Sequence, residues 1–222
     1  MKYLWLHARR WYLARKSVGE PLRSLLRSEL PDRSASFERT EFVALDIETT
    51  GLNPATAEML SVGWVVVREG RVALDSAESH IVRPSGGVGS SASVHGLTDT
   101  IVIDGEHWGD VLDQVVRTLE GRVLLVHHAG LDKLLLDRLC LRRYGARLQV
   151  PFVDTLALEL RNQQRQHHIE SRKSLRLSEL RSHFGLPRYS SHDCLVDAIS
   201  TAELLVAMVA HRKATVLKDL LA

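Results

Sequence analysis

The 222 residues carry 29 Lys and Arg against 27 Asp and Glu, and 45% of them are hydrophobic. This length and composition are typical of one folded domain with a short appendage, and they exclude a low-complexity chain. The two cysteines, Cys140 and Cys194, lack metal-ligand spacing, so neither a disulfide framework nor a zinc site is indicated. No apolar run is long enough for a transmembrane segment, and we predict a cytoplasmic protein.

Residues 1–40 are locally basic, because Lys and Arg outnumber Asp and Glu there. Leu4, Ala8 and Trp11 share one helical stripe, which predicts a short amphipathic helix. Gly, Pro and Ser residues then indicate a linker. We predict that this N-terminal extension packs across the main domain. Contact with a membrane, a nucleic acid or a protein partner, and an organellar transit peptide, are the alternatives.

From residue 42 onward the pattern is that of an α/β domain. The predicted strands are 42–47, 59–67, 71–82, 123–126 and 151–155, and the predicted helices are 110–121, 131–145, 177–185 and 193–211. The short turn Glu69-Gly70 makes the second and third strands an antiparallel pair, so the sheet is predicted to be mixed. We assign residues 41–213 to the main domain and 214–222 to a C-terminal tail.

The stretch FVALDIETTGL, residues 42–52, places Asp46 and Glu48 at the end of an otherwise apolar strand. Side chains alternate faces along a strand, so both acids point the same way and the apolar side chains between them point the other way. Two like charges at this spacing destabilise each other when partly buried, unless a cation lies between them. The pattern indicates either a metal site or a strand end at which both acids face water.

Two more acids and a histidine follow later in the chain. Asp132 begins the helix after strand 123–126, where an acid also favours a helix N-terminus electrostatically. Asp197 lies in the last helix. His192 can approach it only from the loop before that helix, because five residues correspond to about 140° of helical rotation. Asp193 is predicted to be a helix-start acid. The residues predicted to form the loop and cap the helix are Tyr189, Ser190 and Ser191.

These motifs resemble a known family. DIETTGL, then HHAGLD, then His192 with Asp197 are similar, in this order, to the three exonuclease motifs of the DEDDh (DnaQ-like) class of 3′-to-5′ exonucleases. This class contains the proofreading epsilon subunit of bacterial DNA polymerase III. VHGLT at 94–98 and VDT at 153–155 also resemble segments between those motifs. The resemblance covers residues 42 to about 210.

The resemblance implies a ribonuclease-H-like α/β fold, with a central mixed sheet flanked by helices. It also implies that four carboxylates hold two divalent cations, Mg²⁺ or Mn²⁺, which suit hard oxygen ligands: Asp46, Glu48, Asp132 and Asp197. Asp46 would be shared by both ions. His192 would be the general base, since an imidazole accepts a proton near neutral pH.

For the substrate, the resemblance implies a single-stranded 3′ end, with DNA favoured over RNA, and a possible DNA polymerase or repair partner. The predicted substrate-binding residues are Thr49, Thr50, Leu52, His95 and His128. Each also has a plain structural interpretation, as part of a polar turn, a loop cap or the core. His128 stands where many relatives have Asn, and Leu131 where they often have Phe, so the substrate fit is less defined than the metal chemistry.

The predicted function is release of nucleoside 5′-monophosphates from single-stranded 3′ ends. Within the same enzyme class, the alternative is an RNA-trimming or oligoribonuclease-like exoribonuclease. From a different class, the alternative is a non-catalytic nucleic-acid or polymerase-binding module. The complete set of four acids with His192 argues against the binding module, because a binder does not need them all.

Overall fold

The computed structural model describes residues 2–16, 18–86, 98–165, 174–190, 192–211 and 216–222. The strands are β1 (Phe42–Thr49), β2 (Met59–Arg68), β3 (Arg71–Ile81), β4 (Val123–Val126) and β5 (Phe152–Asp154). The helices are α1 (Lys2–Leu13), α2 (Leu22–Arg27), α3 (Asp99–Val102), α4 (Trp108–Thr118), α5 (Asp132–Tyr144), α6 (Thr155–Arg165), α7 (Leu177–His183), α8 (Cys194–Ala210) and α9 (Leu217–Leu220). Within these ranges, no helix combines the length and apolar content needed to cross a bilayer.

The five strands form one sheet in the order β3-β2-β1-β4-β5. β1 pairs antiparallel with β2 and parallel with β4, and β4 pairs parallel with β5. The predicted mixed sheet is therefore confirmed. The predicted turn between β2 and β3 is confirmed as well: Glu69 and Gly70 both have positive φ, 52° and 71°, as tight hairpin turns require.

The sheet separates two apolar cores. Val43 and Ile47 of β1 belong to the core that also contains side chains of α2, α4 and α5. Phe42 and Ala44 belong to the second core, together with side chains of α8 and α9. This alternation is the one predicted for β1. Asp46 continues the second series, so the acidic end of β1 faces α8.

The N-terminal helix α1 packs on the main domain, but through a different face from the predicted stripe. Its buried anchor is Arg10, 4% exposed, which donates to the carbonyls of Gln149 at 3.0 Å, Ser28 at 2.7 Å and Leu25. In contrast, Leu4 is 75% exposed. The predicted apolar stripe thus faces solvent. The guanidinium is buried instead because its N–H groups pair with three carbonyl groups, two of which lie at the C-terminal end of α2.

Four helices were not predicted from the sequence: α2, α3, α6 and α9. Three of them have only four to six residues, which is too short for a helical period to be recognised. The longer α6 begins directly after β5, at Thr155, so no turn signal separates the two elements. The predicted helices are all present, with ends shifted by a few residues.

Candidate active site

The site is built on the C-terminal end of the central strand β1. In the ladder with β2, Asp46 lies opposite Gly63 and Glu48 lies opposite Ser61. Both acids are partly buried. The ladder with β2 therefore positions the backbone of both acids, whereas the ladder with β4 covers only residues 42–44.

Gly63 allows α8 to approach these carboxylates. A Cβ atom at this position would lie 2.5 Å from the backbone nitrogen of Leu195 and 2.6 Å from the carbonyl carbon of Cys194. Real Cβ atoms do not come this close to backbone, so only glycine permits the first turn of α8 to lie directly on β2. This contact brings Asp197 next to Asp46, close enough for their charges to interact.

The loop before α8 and the first turn of α8 place His192 and Asp197 next to each other. Asp193 is the N-cap and accepts hydrogen bonds from the backbone of Leu195 and Val196, both at 3.0 Å. The predicted helix-start acid is confirmed, and the prediction of a cap among residues 189–191 was wrong. An Asp side chain next to the helix outcompetes a more distant Ser.

His192 lies in the loop just before α8, as its approach to Asp197 required. Its backbone has φ +70°, and its N–H donates to Asp197 Oδ2 at 2.8 Å. Ligand atoms of Glu48, His192 and Asp197 all lie within 4.8 Å of one another. Two oxygens and an imidazole nitrogen at this separation are a donor set that one divalent cation can bind.

Asp132 is the first residue of α5 and is only 5% exposed. Its charge interacts with those of Asp46 and Glu48, and the backbone N–H of Ile47 donates a hydrogen bond to it. The structure thus brings all four predicted acids to the end of β1. Asp132 approaches from α5, and Asp197 approaches from α8.

The loop before Asp132 is held by Asp154, a residue that the sequence did not single out beyond its place in the VDT segment. The Asp154 carboxylate accepts hydrogen bonds from the backbone of His128 at 3.0 Å and Ala129 at 2.9 Å. It also accepts from Leu156 at 3.0 Å, so it caps α6. One buried carboxylate therefore connects the end of β5 to the loop that leads into α5.

Adjacent histidines in this loop have different surroundings. His127 Nδ1 lies 2.7 Å from Thr155 Oγ1 and its Nε2 lies 2.9 Å from the carbonyl oxygen of Leu175, so both ring nitrogens have partners. Burial lowers the pKa of His127. His128, with φ +75°, lines the cleft beside the site. His127 is therefore structural, whereas His128 is accessible to a ligand.

The pKa values of all four carboxylates in the site are raised. Burial, followed by the charges of Asp132, Asp197 and Glu48, raises the pKa of Asp46 well above its ordinary value. Burial is also the largest cause of the raised pKa values of the other three acids. Mutual repulsion disfavours the fully ionised cluster, and bound cations would relieve it. The chemistry of the donor set thus fits divalent metal ions.

A cleft of about 650 Å³ opens next to His192 and Asp197. Side chains lining it include His127, His128, Leu175, Arg176, Arg188 and Tyr189. The cleft contains cationic, aromatic and apolar side chains, which can contact a phosphate, a base and a sugar respectively. Arg181 also lines it, but this side chain is buried and donates to the carbonyl of Ser200 at 2.8 Å and to Glu203 at 2.8 Å.

The other predicted substrate residues lie in or near the turn after β1. Thr49 is buried and its hydroxyl donates to the carbonyl of Gly51 at 2.8 Å. The Thr50 hydroxyl accepts from the backbone of Glu58 at 2.9 Å. Leu52 is 88% exposed, so its side chain is free to contact a ligand. His95 lies outside the described residues.

Comparisons with known proteins agree with this fold and site. The family model RNase_T, described as an exonuclease, matches residues 43–205. The chain therefore belongs to this exonuclease family, which confirms the resemblance identified from its motifs. The match includes the positions of all four acids and His192.

Relatives include DNA polymerase III PolC-type of Thermotoga petrophila, 28% identical over 79% of this chain, which spans 12% of that relative's length. The DNA polymerase III subunit epsilon of Treponema pallidum is 28% identical over 80% of each chain. This chain thus corresponds to a small part of the PolC-type relative and to most of the epsilon subunit.

Solved structures share the fold. A zinc-bound complex of E. coli exonuclease I with single-stranded DNA superposes with a TM-score of 0.66, at 17% identity, over 78% of this chain and 41% of that chain. Exonuclease X in complex with 5′-overhanging duplex DNA gives a TM-score of 0.60, at 20% identity, over 81% of this chain and 97% of that chain. The predicted ribonuclease-H-like fold is confirmed.

Proposed function

We propose that this protein is a metal-dependent 3′-to-5′ exonuclease that removes nucleoside 5′-monophosphates from single-stranded DNA. The observation that carries the proposal is the convergence of Glu48, His192 and Asp197 within 4.8 Å, beside the partly buried Asp46 and the buried Asp132. A structural role does not explain this cluster, because ionised carboxylates packed together destabilise the fold.

The four carboxylates, Asp46, Glu48, Asp132 and Asp197, would hold two divalent cations, Mg²⁺ or Mn²⁺. When bound, such ions activate water and stabilise the charge that develops on the leaving 3′ oxygen. Asp46 interacts with the charges of the other three acids, so it is the residue best placed to be shared by both ions.

His192 would accept the proton of the attacking water. Its side chain is exposed at the mouth of the cleft, where it can both reach a substrate and return the proton to solvent. In their ionised forms, the neighbouring Glu48 and Asp197 would stabilise the imidazolium formed by proton transfer. The hydrogen bond from the His192 backbone to Asp197 fixes the position of His192 relative to the Asp197 carboxylate.

The cleft would bind the terminal nucleotides of the strand. Arg176 and Arg188 are placed to contact phosphates, and Tyr189 and His128 offer aromatic faces for bases. Thr49, Thr50 and Leu52 would complete the pocket. Single-stranded DNA is the proposed substrate because exonuclease I is solved in complex with it. A polymerase partner is proposed from the similarity to the DNA polymerase III epsilon subunit.

The test is product analysis on matched DNA and RNA oligomers, labelled at the 5′ end, with free or blocked 3′ ends. With Mg²⁺ or Mn²⁺, we expect stepwise shortening of DNA with a free 3′ end, release of nucleoside 5′-monophosphates, and resistance of blocked ends. Faster shortening of RNA would favour the exoribonuclease alternative. Binding without any product would favour the non-catalytic module.

A contaminating nuclease is excluded by two variants purified in parallel. Asp46→Asn removes one carboxylate of the cluster and should be inactive. Asp104→Asn removes an exposed acid outside the cluster and should retain the activity of the parent protein. Equal activity of Asp46→Asn and the parent would contradict the proposal.

A further inference from the structure

A second cleft, of about 860 Å³, lies between α1 and the sheet edge formed by β5. Cationic side chains from distant parts of the chain line it: Arg9, Arg33, Lys133, Arg147, Arg161 and Lys218. Asp137 is the one acidic side chain among the described lining residues, and it pairs with Lys133 at 2.9 Å. The cleft is therefore electropositive, although the net charge of the whole chain is only +2.

Most of these cations are not neutralised within the protein. In the described part of the chain, four of them have no carboxylate within 4 Å: Arg9, Arg33, Arg147 and Lys218. Arg161, in contrast, donates to the carbonyls of Leu220 and Leu221 and so fixes the chain after α9. Like charges gathered without counterions repel one another, so this arrangement favours an anionic ligand.

Aromatic rings accompany the cations. Trp5 is 58% exposed, and the guanidinium of Arg9 lies 4.8 Å from its ring centroid. The Lys133 ammonium lies 5.4 Å from the ring of the half-buried Phe152. Grooves that bind single-stranded nucleic acid combine cationic and aromatic side chains. The cations contact phosphates, and the rings stack on bases.

Helix α5 and the sheet connect this cleft to the carboxylate site. Lys133 follows Asp132 directly in α5. Phe152 lies level with Val43 across β4, and Asp46 is three residues further along β1, which is roughly 10 Å. A strand whose 3′ end lies at the carboxylates would therefore reach this cleft only if it extends well beyond its terminal nucleotide. A flat lipid bilayer, in contrast, could not contact the side chains inside a concave cleft.

We propose that this cleft binds the sugar–phosphate backbone of the single strand upstream of its 3′ end. The inference rests on the proposed exonuclease function and extends it to the substrate: strands long enough to reach α1 bind more tightly than short ones. The N-terminal helix, anchored by Arg10, thereby acts as one wall of the substrate path.

The test uses the full chain with Asp46→Ala, so that strands remain intact when Mg²⁺ is present. Two double variants are compared: Arg147→Ala with Lys218→Ala in the cleft, and Arg71→Ala with Arg117→Ala elsewhere. All four side chains are exposed, and each variant removes two positive charges. Fluorescence anisotropy gives the affinity for labelled thymidine oligomers of about 20 and about 4 nucleotides over a salt series.

We expect the cleft variant to lose affinity for the long oligomer and to reduce its salt slope by about 1.4, since each phosphate contact to a single strand contributes about 0.7. The control variant should match the parent. Equal salt slopes in the cleft and control variants would overturn the proposal. So would a cleft variant that loses binding to vesicles of anionic lipid but keeps its affinity for the long oligomer.

Hydrolysis by the protein with Asp46 intact is measured separately, which keeps the two proposals distinguishable. If the protein with Asp46 intact hydrolyses DNA, but the cleft and control variants bind the long oligomer with equal salt slopes, only the cleft assignment is contradicted. An inactive parent whose cleft variant shows the expected slope would contradict only the exonuclease assignment, and the single-strand path would stand.

Discussion

At the scale of single residues, charge and backbone conformation explain how the site is assembled. Buried carboxylates that repel one another are costly, so their assembly at the end of β1 indicates a ligand of opposite charge. His192 and His128 both have positive φ, +70° and +75°, a region that non-glycine residues seldom adopt. Both residues line the cleft. Strained backbone conformations cluster at functional sites, where the strain can be part of the function.

Replacement of His192 by Asn should remove the general base and little else, because Asn tolerates positive φ better than Ala does. Metal binding and affinity for a single-stranded 3′ end should be retained, and hydrolysis should fall by about 10² to 10⁴. The loss of rate at acidic pH should also disappear from the remaining activity. Single-turnover pH–rate profiles of both proteins measure this. A variant with the parent's rate and its acid limb would show that another group activates the water.

The raised carboxyl pKa values predict an unusual dependence of stability on pH in the absence of metal. The folded state holds protons that the unfolded state releases, so the contribution of these acids to stability is fully present below the ordinary carboxyl pKa of about 4 to 4.5 and is lost as the pH rises through the raised values. Mg²⁺ or Mn²⁺ should reverse the decline, adding about 2.7 kcal/mol at a hundredfold excess over Kd.

Thermal unfolding with EDTA and with metal, at about pH 5 and about pH 8, measures this effect. Asp46→Ala should melt higher than the parent at the upper pH in EDTA, since one repelling charge is absent, and it should gain little from metal. An equal metal-induced shift in the parent and in Asp46→Ala would exclude Asp46 as a ligand.

At the scale of elements, the contact between β2 and α8 determines whether the acids meet. Asp46 and Asp197 are far apart in sequence, and they become neighbours because Gly63 leaves room for the first turn of α8. Asp154 has a similar role on the other side, where it connects β5, α6 and the loop before α5. Gly63 and Asp154 are not candidate metal ligands, yet both position residues that are.

Gly63→Ala should destabilise the protein by about 1–3 kcal/mol, because the new methyl group forces α8 away from β2. Hydrolysis should fall further than the loss of folded protein explains, since Asp197 moves with the helix. Gly86→Ala is the matched control, because a Cβ there has no atom within 4 Å. Denaturant unfolding and initial rates measure both effects. Unchanged activity in folded Gly63→Ala would mean that the helix position is not critical.

At the scale of the whole molecule, the N-terminal segment is joined to the main fold. Val18, Leu22 and Leu25 belong to the same apolar core as Val43 of β1. Arg10 adds hydrogen bonds from α1 to the end of α2 and to Gln149. The predicted boundary at residue 40 stays a prediction.

Arg10→Ala should lower the free energy of unfolding by about 1–3 kcal/mol, because the carbonyls of Ser28 and Gln149 lose their donor. Arg15→Ala, in the exposed turn just after the same helix, should change the free energy of unfolding by less than about 0.5 kcal/mol. Urea unfolding compares the two variants. If both have the same small effect, the docking of α1 contributes little to stability.

The sequence by itself determined the five strands, five of the nine described helices and the residues of the candidate site. The alternation along β1, the turn at Glu69 and Gly70, and the three motifs with their four acids and His192 depend on local periodicity and side-chain type, which can be read without coordinates. The tertiary structure alone decided which side of α1 is buried, that Asp193 caps α8, and that Gly63 and Asp154 hold the site together. These features depend on which elements pack against each other, and neither the period nor the composition of one segment contains that information.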